Sequence, residues 1–295
     1  MKKYNYDDIN ILVADQNRQL RASIKGILHQ AGFRSISDAA TAQQMEEMIE
    51  HNCPDLLLCD MDLPEGNVCR IINRLRHNHL GNNPFCSVIL FIDAPNEDTF
   101  KMASLAGFDD LQIKPIIGQK ILKRVNMLIE NRKPFVVTTD YIGPDRRKDY
   151  REGTQEIPIF DVPNSLLKKA EGSFNERDFI DEVTKTLWDI NEQKIERHAF
   201  QISYLVQRVI PAYQNKDFSR NTLELISKLV RVSRDIEARL NDSDYTHLSG
   251  LVGTFASVAN NIYKSGTNPL NRDLNLLSEL TIAIQAAFNT SLDNK

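Results

Sequence analysis

The chain of 295 residues contains a single tryptophan, four cysteines and twelve glycines, and its 36 Lys+Arg against 40 Asp+Glu leave a formal net charge of only -4. A balance so close to neutral argues against a nucleic-acid binder that works through a strongly basic face. No apolar run approaches the roughly 18–20 residues that a membrane-spanning helix requires. The opening MKKYNYDDINILVADQN has two lysines but no apolar stretch long enough for a signal peptide, and Asp7 and Asp8 interrupt it. The expected compartment is therefore the cytoplasm. Cys53, Cys59, Cys69 and Cys86 all lie in the first third and form neither a C-x-x-C pair nor a zinc ribbon, so they read as reduced thiols, several of them buried. His77 and His79 make an H-x-H flanked by Asn and Gly that reads as a solvated loop rather than a metal site. Glycine-rich phosphate loops are missing, which removes a kinase or cyclase core.

What is present divides by pattern. The hydrophobic share of 41% supports a sizeable core, and the length suggests two domains at roughly 150 residues each. Over residues 8–129, short apolar runs (Ile9–Ala14, Leu56–Cys59, Val88–Ile92) alternate with amphipathic stripes such as Leu20, Ile24, Ile27 and Leu28, or Val68, Ile71, Ile72 and Leu75. The runs are too short for ordinary helices and fit strands buried on both faces. With weaker strands at Arg34–Asp38 and Asp110–Ile113, five strand–helix pairs predict a doubly wound parallel sheet over residues 1–130.

Residues 131–163 carry Pro134, Pro144, Pro158 and Pro163 and the polar run TTDYIGPDRRKDYREG, which predicts a proline-interrupted linker or arm. Arg147 and Arg151 form an R-x-x-x-R without the D-x-S-x-x-G that would complete a cyclic-dinucleotide signature, so the segment reads as a tether that packs on one of the domains. Arg146 and Arg147 are expected to clip onto an acidic face. Residues 164–295 show four helical stripes, the first running from Phe179 to Pro211 and the last opening on Asn268 as a cap and Pro269 in the first turn. They predict an all-α antiparallel bundle. With 16 basic and 18 acidic residues over 160–295 and no basic recognition helix, DNA binding is not expected.

In an open α/β sheet, ligands bind beyond the carboxyl ends of the strands. The first strand ends in Asp15, the third in Asp60, and the fifth in Lys114-Pro115. Two carboxylates and an ammonium would thus converge on one rim. The runs ILVADQN, DLLLCDMDLPEGN and AGFDDLQIKPI resemble the acidic first-strand end, the phosphoacceptor segment and the G-x-D-D-x-x-x-K-P ending of response regulator receiver domains, over some 120 residues. The resemblance implies a flavodoxin-like receiver in which Asp60 accepts a phosphoryl group from a phosphohistidine on a histidine kinase or phosphotransfer protein. It further implies that Asp15, Asp60 and the Met61 backbone carbonyl hold Mg²⁺, and that Lys114 contacts the phosphoryl oxygens. Gln16, where the family has a second acid, is a weak candidate ligand. Ile92, or Asp93 with a one-residue slip, stands where the family has Thr or Ser, and Leu111 stands where it has its switch aromatic.

The expected function is a response regulator that signals through a helical protein-interaction module, with a second copy of the chain among its expected partners as a homodimer and with no enzymatic activity beyond self-phosphorylation and slow autodephosphorylation. Two alternatives stay open. Gln16, Ile92 and Leu111 favour a phosphorylation-independent adaptor with a degenerate receiver. The run DYTHLSG faintly resembles the H-x-L-K-G of phosphotransfer bundles and suggests a phosphorelay intermediate using His247. His198, in Glu196-Arg197-His198, has a weaker likeness to a kinase histidine.

Overall fold

The computed structural model describes residues 4–93, 97–139, 141–147 and 158–292, and the chain divides into two compact units, Met1–Thr186 and Leu187–Lys295. Arg151 lies outside the described residues.

The first unit opens with five βα pairs: β1 Asn10–Ala14, α1 Arg18–Ala31, β2 Ser35–Ala39, α2 Ala42–His51, β3 Leu56–Asp60, α3 Val68–Arg76, β4 Ser87–Ile92, α4 Glu97–Ala106, β5 Asp110–Ile113 and α5 Gly118–Glu130. The strands form one parallel sheet in the order β2-β1-β3-β4-β5. Every residue of β3 and β4 is buried, which is why these strands read as continuous apolar runs rather than alternating ones. Leu12, Leu57 and Leu90 face α2, α3 and α4, while Val13, Leu58 and Phe91 face α1 and α5. The helices start where short polar side chains take up the free N–H groups: Asn17 Oδ1 accepts from Gln19 and Leu20, Thr41 Oγ1 from Gln44, and Asn67 Oδ1 from Arg70. Gly32, at φ 111°, closes α1 in the left-handed region.

Of the linker and the docked arm that the prolines left open, the described residues of this stretch form an arm. Phe135–Val137 (β6) pairs antiparallel with Ile142–Pro144 (β7) on one side and Ile159–Phe160 (β8) on the other. Phe135 is fully buried between the guanidiniums of Arg76 and Arg132, 5.2 and 5.0 Å from its ring centre. Arg76 and Arg132 both donate to the buried Asp109 carboxylate, at 2.9 and 2.7 Å. Arg76 also donates to the carbonyls of Gly107, Pro84 and Cys86, each at 2.7 Å. Arg146 donates to the Phe108 carbonyl at 2.6 Å, lies 3.8 Å from the centre of that ring and feels the charges of Asp109 and Asp110, while Arg147 pairs with Asp145 of its own segment. Prolines broke the helical pattern but left short strands free to form, because edge and end positions need no N–H from proline.

Close approach of β7 requires glycine at position 107. Gly107 has φ +89°, and a Cβ there would sit 2.5 Å from the Ile142 carbonyl oxygen and 3.0 Å from Arg76 Cγ. Gly107→Ala is expected to cost the first unit about 1–3 kcal/mol from backbone strain. The readout is the urea concentration at which the buried Cys59 and Cys86 thiols become reactive; an unchanged midpoint would contradict the argument.

The unit boundary also departs from the expected one at residue 163. Ser165–Ala170 forms a short helix (α6) whose Leu166 and Ala170 are buried in the same cluster as α1 and α5. Asn164 Nδ2 donates to the Leu128 carbonyl at 3.0 Å, Lys169 pairs with Asp55 at 2.7 Å, and the Ala170 carbonyl accepts from Asn5 N–H at 2.9 Å. These residues fall within the 164–295 span expected to be bundle, but Leu166 and Ala170 serve the core of the first unit.

Beyond lie α7 Glu176–Gln214, α8 Arg220–Arg239, α9 Ser249–Ser265 and α10 Asn271–Leu292. The second unit, from Leu187, has one core: Ile202, Leu205 and Val209 of α7, Ile226, Leu229 and Ile236 of α8, Val252, Phe255 and Ala259 of α9, and Leu277 and Ile284 of α10. Two ends differ from the sequence reading. Helix α7 runs through Pro211 to Gln214, since neighbouring apolar side chains such as Val209 and Tyr213 hold it in the core despite the lost hydrogen bond. Helix α10 begins at Asn271 rather than at Pro269, and its first carbonyl acceptor is Leu270, bonded by Leu274 N–H at 3.3 Å. Among the described residues, no helix is long and apolar enough to cross a membrane.

Candidate functional site

Parallel register brings the strand ends together. Ala14 lies opposite Cys59, so the following residues, Asp15 and Asp60, stand side by side at the carboxyl edge. Ile92 lies opposite Ile113, so Asp93 and Lys114 stand side by side on the neighbouring pair. The Lys114 N–H donates to the Ile92 carbonyl at 2.9 Å and the Met61 N–H to the Phe91 carbonyl at 2.9 Å, which anchors both following loops on β4.

The four side chains form one charged group. Lys114 Nζ donates to Asp60 Oδ2 at 2.6 Å and lies 3.9 Å from both Asp15 Oδ2 and Asp93 Oδ2. Asp60 and Asp15 are buried, whereas the Asp93 side chain is 68% exposed at the mouth. Asp15 is held in place by its own loop: Asn17 N–H donates to Oδ1 at 2.7 Å, and Arg21 Nη1 donates to the Asp15 carbonyl oxygen at 2.6 Å. Burial raises the Asp15 pKa, the Asn17 hydrogen bond opposes this, and the neighbouring Asp60 adds to the rise. Burial would lower the Lys114 pKa, but the hydrogen bond and charge of Asp60 outweigh it and the ammonium is held above its ordinary range.

Asp15, Asp60 and Lys114 are thus brought together as the strand-end reading required. Met61 follows Asp60 directly and is half-buried, while Gln16 is exposed. Ile92 is buried and apolar, and Leu111 packs into the core under α2, α3 and α4, so neither offers a hydroxyl or a mobile aromatic. The sequence treated Asp93 only as a possible register slip; the structure makes it a partner of Lys114, and parallel pairing of β4 with β5 was the signal.

Asp15 Oδ2 is a buried carboxylate oxygen that accepts no hydrogen bond. A second carboxylate beside it makes a hard-oxygen pair, which suits a small divalent cation that keeps several waters. Among the described residues no group of three or more His, Cys, Asp and Glu side chains is placed to hold a metal ion. Asp15 and Asp60 are thus the two side chains that would hold such a cation.

In the second unit, His247 is exposed in a single turn of 3-10 helix, Thr246–Leu248, directly before α9. His198 is buried, with Nε2 hydrogen-bonded to Asp235, which also accepts from Arg239 Nε at 2.9 Å. Burial would raise the Asp235 pKa, but these hydrogen bonds hold it well below the usual carboxylate range.

Residues 11–126 match the response regulator receiver domain family. The chain is 24% identical over 123 residues to the nitrate/nitrite response regulator NarL of Escherichia coli, covering 41% of this chain and 55% of that protein. It is 26% identical over 121 residues to the transcriptional regulatory protein PhoP of Escherichia coli, covering 41% and 52%. The chain spans about half the length of these curated relatives. Among solved structures, a CheY-like receiver domain protein from Methanospirillum hungatei JF-1 is 23% identical, with a TM-score of 0.37, over 40% of this chain and 90% of that one. The chemotaxis regulator CheY4 of Vibrio cholerae is 14% identical, with a TM-score of 0.36, over 41% and 98%.

Proposed function

We propose that the response regulator receiver domain at residues 11–126 accepts a phosphoryl group on Asp60 from a phosphohistidine of a histidine kinase or phosphotransfer protein in the cytoplasm. The helical region beyond it would pass the signal on through protein–protein contacts. The observation that carries this reading is the buried Asp60 carboxylate, hydrogen-bonded to Lys114 at 2.6 Å with the Asp15 carboxylate beside it.

The chemistry follows from charge. An Asp60 oxygen attacks phosphorus, the bond from phosphorus to the imidazole nitrogen breaks, and the imidazole leaves with the electron pair. The attacking carboxylate and the phosphoryl group are both anionic, so cations must neutralise them as they approach. Lys114 supplies one, already aimed at Asp60. Mg²⁺ would supply a second when bound, held by Asp15, Asp60 and the Met61 carbonyl, with the Gln16 amide as a weaker donor. Lys114 then turns from the carboxylate to the phosphoryl oxygens. Water attack on the aspartyl phosphate returns Asp60 and inorganic phosphate, and no other catalysis is assigned to the chain.

The test is intact mass after incubation with phosphoramidate and Mg²⁺. The parent is expected to gain one phosphoryl group, and Asp60→Asn none. An adduct that survives in Asp60→Asn, or that is acid-labile and maps to His247, would replace this reading with a phosphorelay through the second unit. No adduct in the parent, together with no Mg²⁺ binding, would leave the phosphorylation-independent adaptor.

A further inference from the structure

We infer that Asp93 is a specificity residue that closes the phosphoacceptor site to small, highly charged phosphodonors in solution and leaves a docked protein donor as the route to Asp60. The inference rests on the proposed role of Asp60. Three carboxylates share one ammonium: Lys114 Nζ is 2.6 Å from Asp60 and 3.9 Å from both Asp15 and Asp93. Before a cation or a phosphoryl group arrives, these four side chains carry more negative than positive charge; a divalent cation taken by Asp15 and Asp60 would offset those two carboxylates and leave Asp93 as the third. Asp60 and Asp15 are buried and sit behind Lys114, but the Asp93 carboxylate is 68% exposed, so it is the charge that an entering anion meets. The residue before it, Ile92, is buried and apolar and offers no hydrogen bond in compensation.

Asp93 is the first residue after β4, and the strand pairing that ends at Ile92 carries it to the side of Lys114. Ile92 and Ile113 are register partners and the Lys114 N–H is bonded to the Ile92 carbonyl at 2.9 Å, so the backbone sets Asp93 beside Lys114. Two consequences follow. Asp93 repels an approaching dianion, and it competes with the phosphoryl oxygens for the lysine. A donor carried on a protein can cover or pair Asp93 with its own side chains as it docks, whereas a free acyl phosphate cannot.

The experiment compares the full-length parent with Asp93→Asn and Asp93→Ser, using acetyl phosphate, which is doubly charged near neutral pH, and phosphoramidate, which is singly charged. With acetyl phosphate the phosphorus–oxygen bond breaks and acetate leaves; with phosphoramidate the phosphorus–nitrogen bond breaks and ammonia leaves. In both, the product is the same Asp60 phosphate, read as intact mass against time with Mg²⁺ at saturating concentration. Removing one exposed charge next to the path is expected to raise the acetyl phosphate rate about tenfold at low ionic strength, and the phosphoramidate rate by less. Added salt should narrow the difference for acetyl phosphate. Equal rates in parent and variants, with adducts formed in all, would overturn the role of Asp93 and leave the proposed function standing. No adduct in any of them with either donor would overturn both.

Discussion

Asp109→Ala is expected to destabilise the first unit by about 3–5 kcal/mol, as removal of one partner from a buried ion pair does. The carboxylate is 2% exposed and accepts from Arg76 Nη2, Arg132 Nε and the Val88 N–H, at 2.9, 2.7 and 2.8 Å. Without it, the two guanidiniums beside Phe135 lose the anion they share, and a buried N–H loses its acceptor. Burial already pushes the Arg76 pKa down, with Asp109 the chief opposing charge. At an ordinary urea dependence the loss moves the midpoint by about 2 M. The two units can be followed separately. All four cysteines lie in the first, so exposure of Cys59 and Cys86 to a thiol reagent reports on it, while the only tryptophan, Trp188, reports on the second. Asp38→Ala is the comparison. Its pairs with Arg21 and Lys25 are partly exposed, and their loss should cost no more than about 1 kcal/mol. A midpoint for Asp109→Ala no lower than that of Asp38→Ala would show that the cluster is energetically idle. Should Asp109→Ala not fold at all, both thiols would react without urea, which is the same prediction at its limit.

Lys114→Met is expected to slow phosphoryl uptake from phosphoramidate by about 100–1000-fold, the usual consequence of deleting one preorganised cation or donor at a site of developing charge. Unlike Asp60→Asn, the variant keeps its nucleophile, so a slow adduct at Asp60 should still accumulate. Initial rates of mass gain distinguish the two. A Lys114→Met rate within about tenfold of the parent's would mean that the lysine serves only to neutralise Asp60 in the resting fold. The raised pKa of Lys114 carries its own sign. Its pairing with Asp60 stabilises the fold fully below the ordinary lysine value of 10.5, and that contribution is lost as pH rises through the higher folded-state value. Around neutral pH, neither its charge nor its share of stability should vary.

The alternation of short apolar runs with amphipathic stripes was enough to draw the sheet, because strands buried on both faces have no polar positions to blur them. The carboxyl-edge residues of β1 and β3 were legible for the same reason: Asp15 and Asp60 are the first charges after buried apolar runs, whereas Lys114 follows β5, which itself holds Asp110 and Gln112. Other features were hidden because they depend on pairing and on which core receives a segment. Asp93 becomes a neighbour of Lys114 only through the register of β4 and β5. Arg76, Asp109 and Arg132 are separated by 33 and 23 residues and carry no local pattern. Four prolines in residues 131–163 left a linker and a docked arm open, and the buried Phe135, Val137 and Ile142 belong to an arm. The helix Ser165–Ala170 fell inside the span expected to be bundle because its composition does not say which core it serves.

The arm sets the limits of what can be exchanged between proteins. Cutting the chain after Glu130 would remove Arg132 and Phe135 and leave Arg76 with a bare aromatic slot beside it, and it would strip Leu166 from the layer over α1 and α5. A receiver of this type transplanted onto another output would therefore travel intact only with its sequel to Ala170. Recombination between such genes is expected to leave its joints beyond that point rather than at the last helix of the sheet.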